Sequence, residues 1–288
     1  MEAVFGDSLN SARFSISRRA RNKHVRRGSL EHARCFERVP YPGHVDKAIA
    51  RGSDSCRRTS TRVLGTSPRA ALRDEVAVMT FLNSGDRVLL TGDSITDWGR
   101  DRSDASSLGT GYAMVVASLA GARRPDLGLT FLNRGVGGDT STMLRDRWQR
   151  DGLDLEPTVV SILIGINDTW RRFEGGGAPT STDEYEDALR SILDSTREAL
   201  GARIVLIEPF LTPVKPEQHA WRSDLDPRIA VVRRMAAEYR ATLVPADGLF
   251  AAAAVRTSPE QWCFDGVHPT AAGHGLLAQA WLDAVGVR

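Results

Sequence analysis

Four short stretches of the sequence carry residues that can do chemistry together. Ser94 follows Val88-Leu89-Leu90-Thr91-Gly92-Asp93, an apolar run ending in a glycine and an acid. Asp265 and His268 lie three residues apart in Asp265-Gly266-Val267-His268-Pro269. Between them stand Asn133-Arg134-Gly135-Val136-Gly137-Gly138-Asp139-Thr140 and Gly165-Ile166-Asn167-Asp168. A serine hydroxyl is a weak nucleophile until a base takes its proton. Histidine is the natural base, since its near-neutral pKa lets it accept a proton and return it. An acid three residues before that histidine can fix its tautomer and offset its charge. Acyl transfer also needs donors for an oxyanion. Gly138 offers an unobstructed N–H, Asn167 a side-chain amide and Ser94 its own N–H.

Each part has a plainer reading. From its own stretch alone, Ser94 reads as a helix N-cap; the three further stretches turn it toward a nucleophile. Gly135 and Gly137 are neighbouring alternatives to Gly138 and serve the turn. Asp93 and Asp168 read as turn caps and loop supports, and Asp139 as an acid at a helix start. His274 reads as a surface or packing histidine. A metal set of Asp265, His268 and His274 has no familiar ligand spacing. The Gly135-x-Gly137-x-x-Thr140 run lacks the third glycine of a dinucleotide fingerprint. No metal and no cofactor are expected.

The elements that position these stretches alternate. Strands are expected at Arg87–Leu90, Leu127–Leu132, Thr158–Ile164, Ala202–Ile207 and Thr242–Pro245. Helices are expected at Gly111–Ala122, Thr140–Arg150, Ser181–Leu200, Pro227–Tyr239 and Ala271–Val285. Strand–helix alternation means a five-stranded parallel sheet with helices on both faces, an α/β architecture. A parallel sheet brings its strand-to-helix loops to one end, where open α/β sheets place their ligand sites.

The 288 residues hold 38 Lys and Arg against 36 Asp and Glu, but not evenly. Residues 1–78 carry 16 of the basic and 8 of the acidic residues, so the remainder is net acidic and gives no sign of nucleic-acid binding. The first 78 residues are rich in Arg and Ser, without apolar period, and read as a disordered extension before a domain at 79–288. A start at Met79 is the favoured explanation; a transit peptide and a basic tail are the others. A second Gly-Asp-Ser triplet, Gly6-Asp7-Ser8, has no strand before it and is given no role. Three cysteines, Cys35, Cys56 and Cys263, are too few for a disulfide framework or zinc site, so a reducing, cytoplasmic setting is expected, with Cys263 as a small buried apolar residue. No apolar run is long enough to span a membrane.

In order, Gly92-Asp93-Ser94, Gly138, Asn167 and Asp265-x-x-His268 resemble the four blocks of the SGNH (GDSL-type) serine hydrolases. The resemblance covers residues from about 85 to 288. It implies a three-layer, flavodoxin-like α/β/α fold, a triad of Ser94, His268 and Asp265, an oxyanion hole of Ser94, Gly138 and Asn167, and no cofactor. Two longer runs, Thr91-Gly92-Asp93-Ser94-Ile95-Thr96-Asp97-x-Gly99-Arg100-Asp101-Arg102 and Ile164-Gly165-Ile166-Asn167-Asp168-x-Trp170-Arg171, resemble the intracellular acetyl-xylooligosaccharide esterases of that family. That branch implies a small acetylated-sugar substrate and a homo-oligomer.

Trp98, Trp170 and Trp262 each lie within four residues of a reactive block and are candidates for a sugar-stacking wall, with core packing as the alternative. Arg100, Arg102, Arg171 and Arg172 are candidates for an acidic substituent, with solvated ion pairs expected for most. Two other functions remain open: a lysophospholipase or general short-chain esterase, and a carbohydrate-binding protein without turnover. The first needs an apolar groove.

Overall fold

The computed structural model describes residues 81–288. The reading of residues 1–78, the start at Met79 and the Gly6-Asp7-Ser8 triplet lie outside the described residues.

Five parallel strands form one sheet: β1 (Arg87–Gly92), β2 (Thr130–Gly135), β3 (Val159–Leu163), β4 (Arg203–Ile207) and β5 (Thr242–Val244), in the order β2-β1-β3-β4-β5. The helices are α1 (Ser94–Asp97), α2 (Tyr112–Arg123), α3 (Ser141–Asp146), α4 (Trp148–Asp151), α5 (Ile166–Glu174), α6 (Thr182–Leu200), α7 (Arg222–Tyr239), α8 (Ala246–Arg256) and α9 (Ala271–Ala284). Successive strand residues alternate between two cores. Val88 and Leu90 join α2, α8 and α9 on one face, with Tyr112, Phe250 and Trp281. Leu89, Val160 and Ile162 join α3, α4 and α6 on the other, with Trp148, Tyr185 and Leu193. Helix α7 contributes to both. Both faces of the central strands are covered, which is why β3 reads as a near-continuous apolar run, broken only by Ser161, whose hydroxyl accepts from buried Trp281 at 3.0 Å. Each large side chain so buried contributes about 2 kcal/mol. The expected three-layer α/β/α architecture is what the chain adopts.

Several boundaries differ from the sequence reading. Strand β2 begins three residues late, because Pro125–Leu127 close a 3-10 turn and β2 takes its register from β1, Arg87 opposite Thr130. The helix expected over Thr140–Arg150 breaks at Arg147, whose φ and ψ of −102° and 5° separate α3 from α4. Helix α7 starts five residues before the expected Pro227 and carries that proline inside it. Asp224 and Leu225 are buried and fix this first stretch, so packing overrides the proline signal. Helices α5 and α8 have no counterpart in the sequence reading. Ala-rich α8 offers little polar contrast to reveal a period.

The strand order reverses direction at β1, which has β2 on one side and β3 on the other. Loops from β1, β2 and β3 therefore meet at one crevice, the position where open α/β sheets bind ligands. Gly92 makes the first of these turns with φ of +150°. A Cβ there would sit 1.9 Å from the Leu163 carbonyl oxygen of β3. Neither the backbone angle nor the neighbouring strand accommodates a methyl group. Gly92→Ala is expected to lower the melting temperature by ~10 °C or prevent folding. Thermal unfolding checks this; a variant melting with the parent would contradict it.

Candidate active site

Asp93 follows Gly92 and caps α1, its carboxylate accepting from the Ile95 N–H at 3.0 Å. The N-cap is thus Asp93, and Ser94 is the first helical residue. Its own N–H has no intrahelical acceptor and is free to serve a ligand. Burial pushes the Asp93 carboxyl up to about 7, against the Ile95 hydrogen bond and the charge of His268.

His268 comes from the loop before α9, which Thr270 caps through the Gly273 N–H. Its Nε2 lies 2.9 Å from Ser94 Oγ, and its Nδ1 2.7 Å from Asp265 Oδ2. The second Asp265 oxygen accepts from the N–H groups of Val267, at 3.0 Å, and His268, at 2.8 Å. Burial opposes ionisation of Asp265, but these donors and the His268 ring outweigh it and hold the acid at about 2. The same ring–carboxylate hydrogen bond raises His268 above its ordinary value, against burial. Ionised Asp265 assigns Nδ1–H as donor, so Nε2 carries the lone pair that faces the serine hydroxyl. Gln218 steadies the arrangement from a distance, donating to the Asp265 carbonyl at 2.6 Å.

These two shifts give stability a pH dependence. The raised His268 pKa stabilises the fold fully below its unfolded value and ceases to do so as pH rises through the folded one. The depressed Asp265 pKa stabilises above its unfolded value and ceases to do so as pH falls toward 2.

A cleft of about 380 Å³ opens beside Ser94 and His268, lined also by Gly138, Asn167, Trp170 and Arg171. Gly138 has φ of +85°, and nothing occupies the space where its Cβ would stand, so its edge of the loop is bare toward solvent. Asn167 Nδ2 donates one hydrogen to the Asp139 carbonyl at 3.0 Å, and a primary amide holds a second to give. Asp168 is buried and binds the Ser141 N–H at 3.1 Å and hydroxyl at 2.7 Å, tying the start of α3 to α5. Asp139 pairs with Arg147 Nε at 2.6 Å; Arg147 also donates to the carbonyls of Arg134, at 2.8 Å, and Gly92, at 3.0 Å. Asp97 accepts from the Gly137 N–H at 3.0 Å. The loop after β2 is therefore fastened to the turn after β1 by side chains from three elements.

Asn167→Ala gives up the bond to the Asp139 carbonyl but keeps the ties from Asp97, Arg147 and Asp168, and it removes one donor facing the cleft. It is expected to lower kcat on a simple acetyl ester by about 10²–10³-fold with KM little changed. Steady-state kinetics test this; an unaltered kcat would exclude Asn167 from oxyanion binding.

The three tryptophans separate. The ring centroids of Trp98 and Trp170 lie 5.7 and 5.8 Å from that of His268. Trp262, like Trp170, packs against the core; it donates to Thr257 Oγ1 at 2.8 Å and is not among the residues lining the cleft at Ser94. Phe264, exposed and stacked on Trp98 at 6.1 Å, is an aromatic beside His268's neighbour that the sequence reading did not single out. His274 is a packing histidine: its Nδ1 accepts from the Tyr112 N–H at 3.1 Å, and burial pushes it down to about 4. Cys263 is buried as expected, and burial pushes its thiol up to about 12. Sequence reasoning missed Asp97, Arg147 and Gln218. Only Asp97 had a local signal, its place in the run that follows Ser94.

Comparison with known proteins places the fold in a family. The model of the GDSL-like lipase/acylhydrolase family matches residues 90–276. An acetylxylan esterase from Geobacillus stearothermophilus is 36% identical over 212 residues, 71% of this chain and 96% of that protein. A crystal structure of an acetylxylan esterase from that organism, 36% identical, superposes with a TM-score of 0.68, covering 72% of this chain and 97% of its own. An α/β hydrolase from the metagenome of Lake Arreo, 31% identical, superposes at 0.67 over 72% of this chain and 98% of its own. With the fold, the order of the four blocks and the match to the family model in agreement, this chain belongs to the GDSL-like lipase/acylhydrolase family.

Proposed function

We propose that this chain is a serine esterase that removes acetyl groups from short carbohydrates, xylo-oligosaccharides among them, through an acyl-enzyme. The observation that carries the reading is the continuous hydrogen-bonded chain from Ser94 Oγ through the His268 ring to Asp265 at the edge of an open cleft. Family membership makes the reaction carboxylic ester hydrolysis. The acetyl group and the sugar follow from the acetylxylan esterase of Geobacillus stearothermophilus as a relative.

In this mechanism His268 Nε2 takes the Ser94 proton as Oγ attacks the ester carbonyl carbon. The oxyanion that forms is met by the N–H groups of Ser94 and Gly138 and by the Asn167 amide. Collapse breaks the bond to the alcohol oxygen, which receives the proton from Nε2. His268 then deprotonates a water, which attacks the acyl carbon; collapse returns the proton to Ser94 Oγ and releases acetate. Ionised Asp265 stabilises the imidazolium in both halves. Trp170, in the cleft wall, and the Trp98–Phe264 pair supply flat apolar faces for sugar rings.

Against a lysophospholipase stands the cleft lining: apart from Trp170 it is Gly, Asn, Arg and His that surround the serine, where an acyl chain would need a longer apolar groove. Among the described residues no helix is long and apolar enough to cross a membrane. A buried free Cys263 accords with a reducing, cytoplasmic setting, and a homo-oligomer follows from the resemblance alone. We place the start of the catalytic domain near Met79.

The test is acetate release from acetylated xylo-oligosaccharides, with p-nitrophenyl acetate and a lysophospholipid in parallel. Release from both acetyl substrates is expected. Turnover of the nitrophenyl ester alone would remove the sugar, and preference for the lipid would replace the reading.

A further inference from the structure

A second cleft, of about 400 Å³, opens behind the loop that follows β2. Arg100, Arg102, Arg134, Val136, Arg150 and Asp151 line it. Gly137, the residue after Val136, lines the cleft at Ser94, so the two clefts share this loop as a wall. Arg102 reaches that wall. A Cβ on Gly137 would lie 3.5 Å from Arg102 Nη2 and 3.8 Å from Ser94 Cβ.

Four guanidinium groups thus line one cleft, with the carboxylates of Asp97 and Asp151 beside them. Arg100 and Arg102 are held by Asp97, and Arg150 by Asp151. Arg134 has no carboxylate partner among the described residues. Its Nη1 donates to the carbonyls of Asn133, at 2.7 Å, and Ala105, at 3.2 Å; its other N–H groups have no acceptor there. Burial, then the charge of Arg100, disfavour its cationic form, and the nearby charge of Asp151 offsets them only in part. A half-buried guanidinium facing a like charge carries a desolvation penalty that an anion would relieve. The planar fork of Arg134 fits a carboxylate through two parallel hydrogen bonds.

We propose that this cleft binds the carboxylate of an acidic sugar unit, so that the chain prefers acetyl esters carried on uronate-bearing oligosaccharides over neutral ones. The proposal rests on the esterase reading above. Its geometry suits one ligand: residues 134–138 span at most ~14 Å even fully extended, so an ester at Ser94 and a carboxylate in the cleft fit on one short oligosaccharide.

Two measurements test it. Calorimetric titration of the full chain with glucuronate, glucose and inorganic phosphate reads the cleft without turnover. Glucuronate is expected to bind more tightly than glucose, and Arg134→Gln to weaken it about tenfold. Arg134→Lys keeps the charge but not the fork, and is expected to recover only part of the loss. Hydrolysis of acetylated oligosaccharides with and without a uronate is then expected to show a KM about tenfold lower for the acidic substrate. Arg134→Gln abolishes that difference and leaves p-nitrophenyl acetate hydrolysis unchanged. Added salt narrows the difference, because the cleft is open to solvent. Glucuronate binding no tighter than glucose, or unaffected by Arg134→Gln, would overturn the proposal. So would phosphate binding with equal KM for acidic and neutral substrates, which would leave a site for small anions only. If no acetyl ester is turned over, the esterase reading fails, while the titration still decides the cleft.

Discussion

Replacing Ser94 with alanine is expected to lower kcat on acetyl esters by roughly 10⁴–10⁶-fold, with the melting temperature moved by no more than a few degrees. The size follows from what the hydroxyl does. In the proposed mechanism it forms and breaks the bond to the acyl group, and no neighbouring group substitutes for it. Residual turnover comes from the cleft and the oxyanion donors acting on water. Structurally the change is small: one hydrogen bond to His268 is lost at the edge of an open cleft, worth about 1 kcal/mol. Pre-steady-state assays with a nitrophenyl ester in excess are expected to show the early release of the alcohol vanish in the variant. Near-normal turnover by Ser94→Ala would mean that another nucleophile acts, and would sink the mechanism.

Asp265→Asn is the second large effect, about 10⁴-fold in kcat. Asparagine can accept from the Val267 and His268 N–H groups, so the loop keeps its turn. What it removes is the charge that fixes the tautomer and stabilises the imidazolium. The pH profile adds a signature that a misfolded variant would lack. In the parent, activity falls as pH drops through the His268 pKa, which Asp265 holds above its ordinary value. Without that carboxylate the charged ring is less favoured, so its pKa falls and the acid limb of the remaining kcat/KM moves to lower pH. An acid limb that stays in place would show that Asp265 does not stabilise the charged histidine.

Much of the site was legible because its residues sit in loops whose chemistry is local. Gly92-Asp93-Ser94 signals a sharp turn by its glycine, and Asp265-x-x-His268 places acid and base within one turn of each other. The fold class was legible for a related reason: strand and helix periods differ, and they alternate along the chain. The departures have identifiable causes. Strand β2 was misplaced because its register is set by pairing with β1, across 43 residues from Arg87 to Thr130. Helix α7 runs through Pro227 because buried Leu225 rewards the earlier start.

By itself the sequence determined which loops carry the serine, the acid, the base and the amide donor, and that a parallel sheet would gather them at one edge. Those are consequences of residue type and short-range geometry. The tertiary structure alone decided how they meet. The order β2-β1-β3 sets the loops after the three strands side by side, and the ties from Asp97, Arg147 and Gln218 cross between elements far apart in the chain. The arginine cleft behind the β2 loop is of the same kind. Its cations come from residues 100 to 150, and nothing in the spacing of those arginines distinguishes a solvated surface from a converging wall. Convergence depends on packing, and packing is settled by the whole core at once.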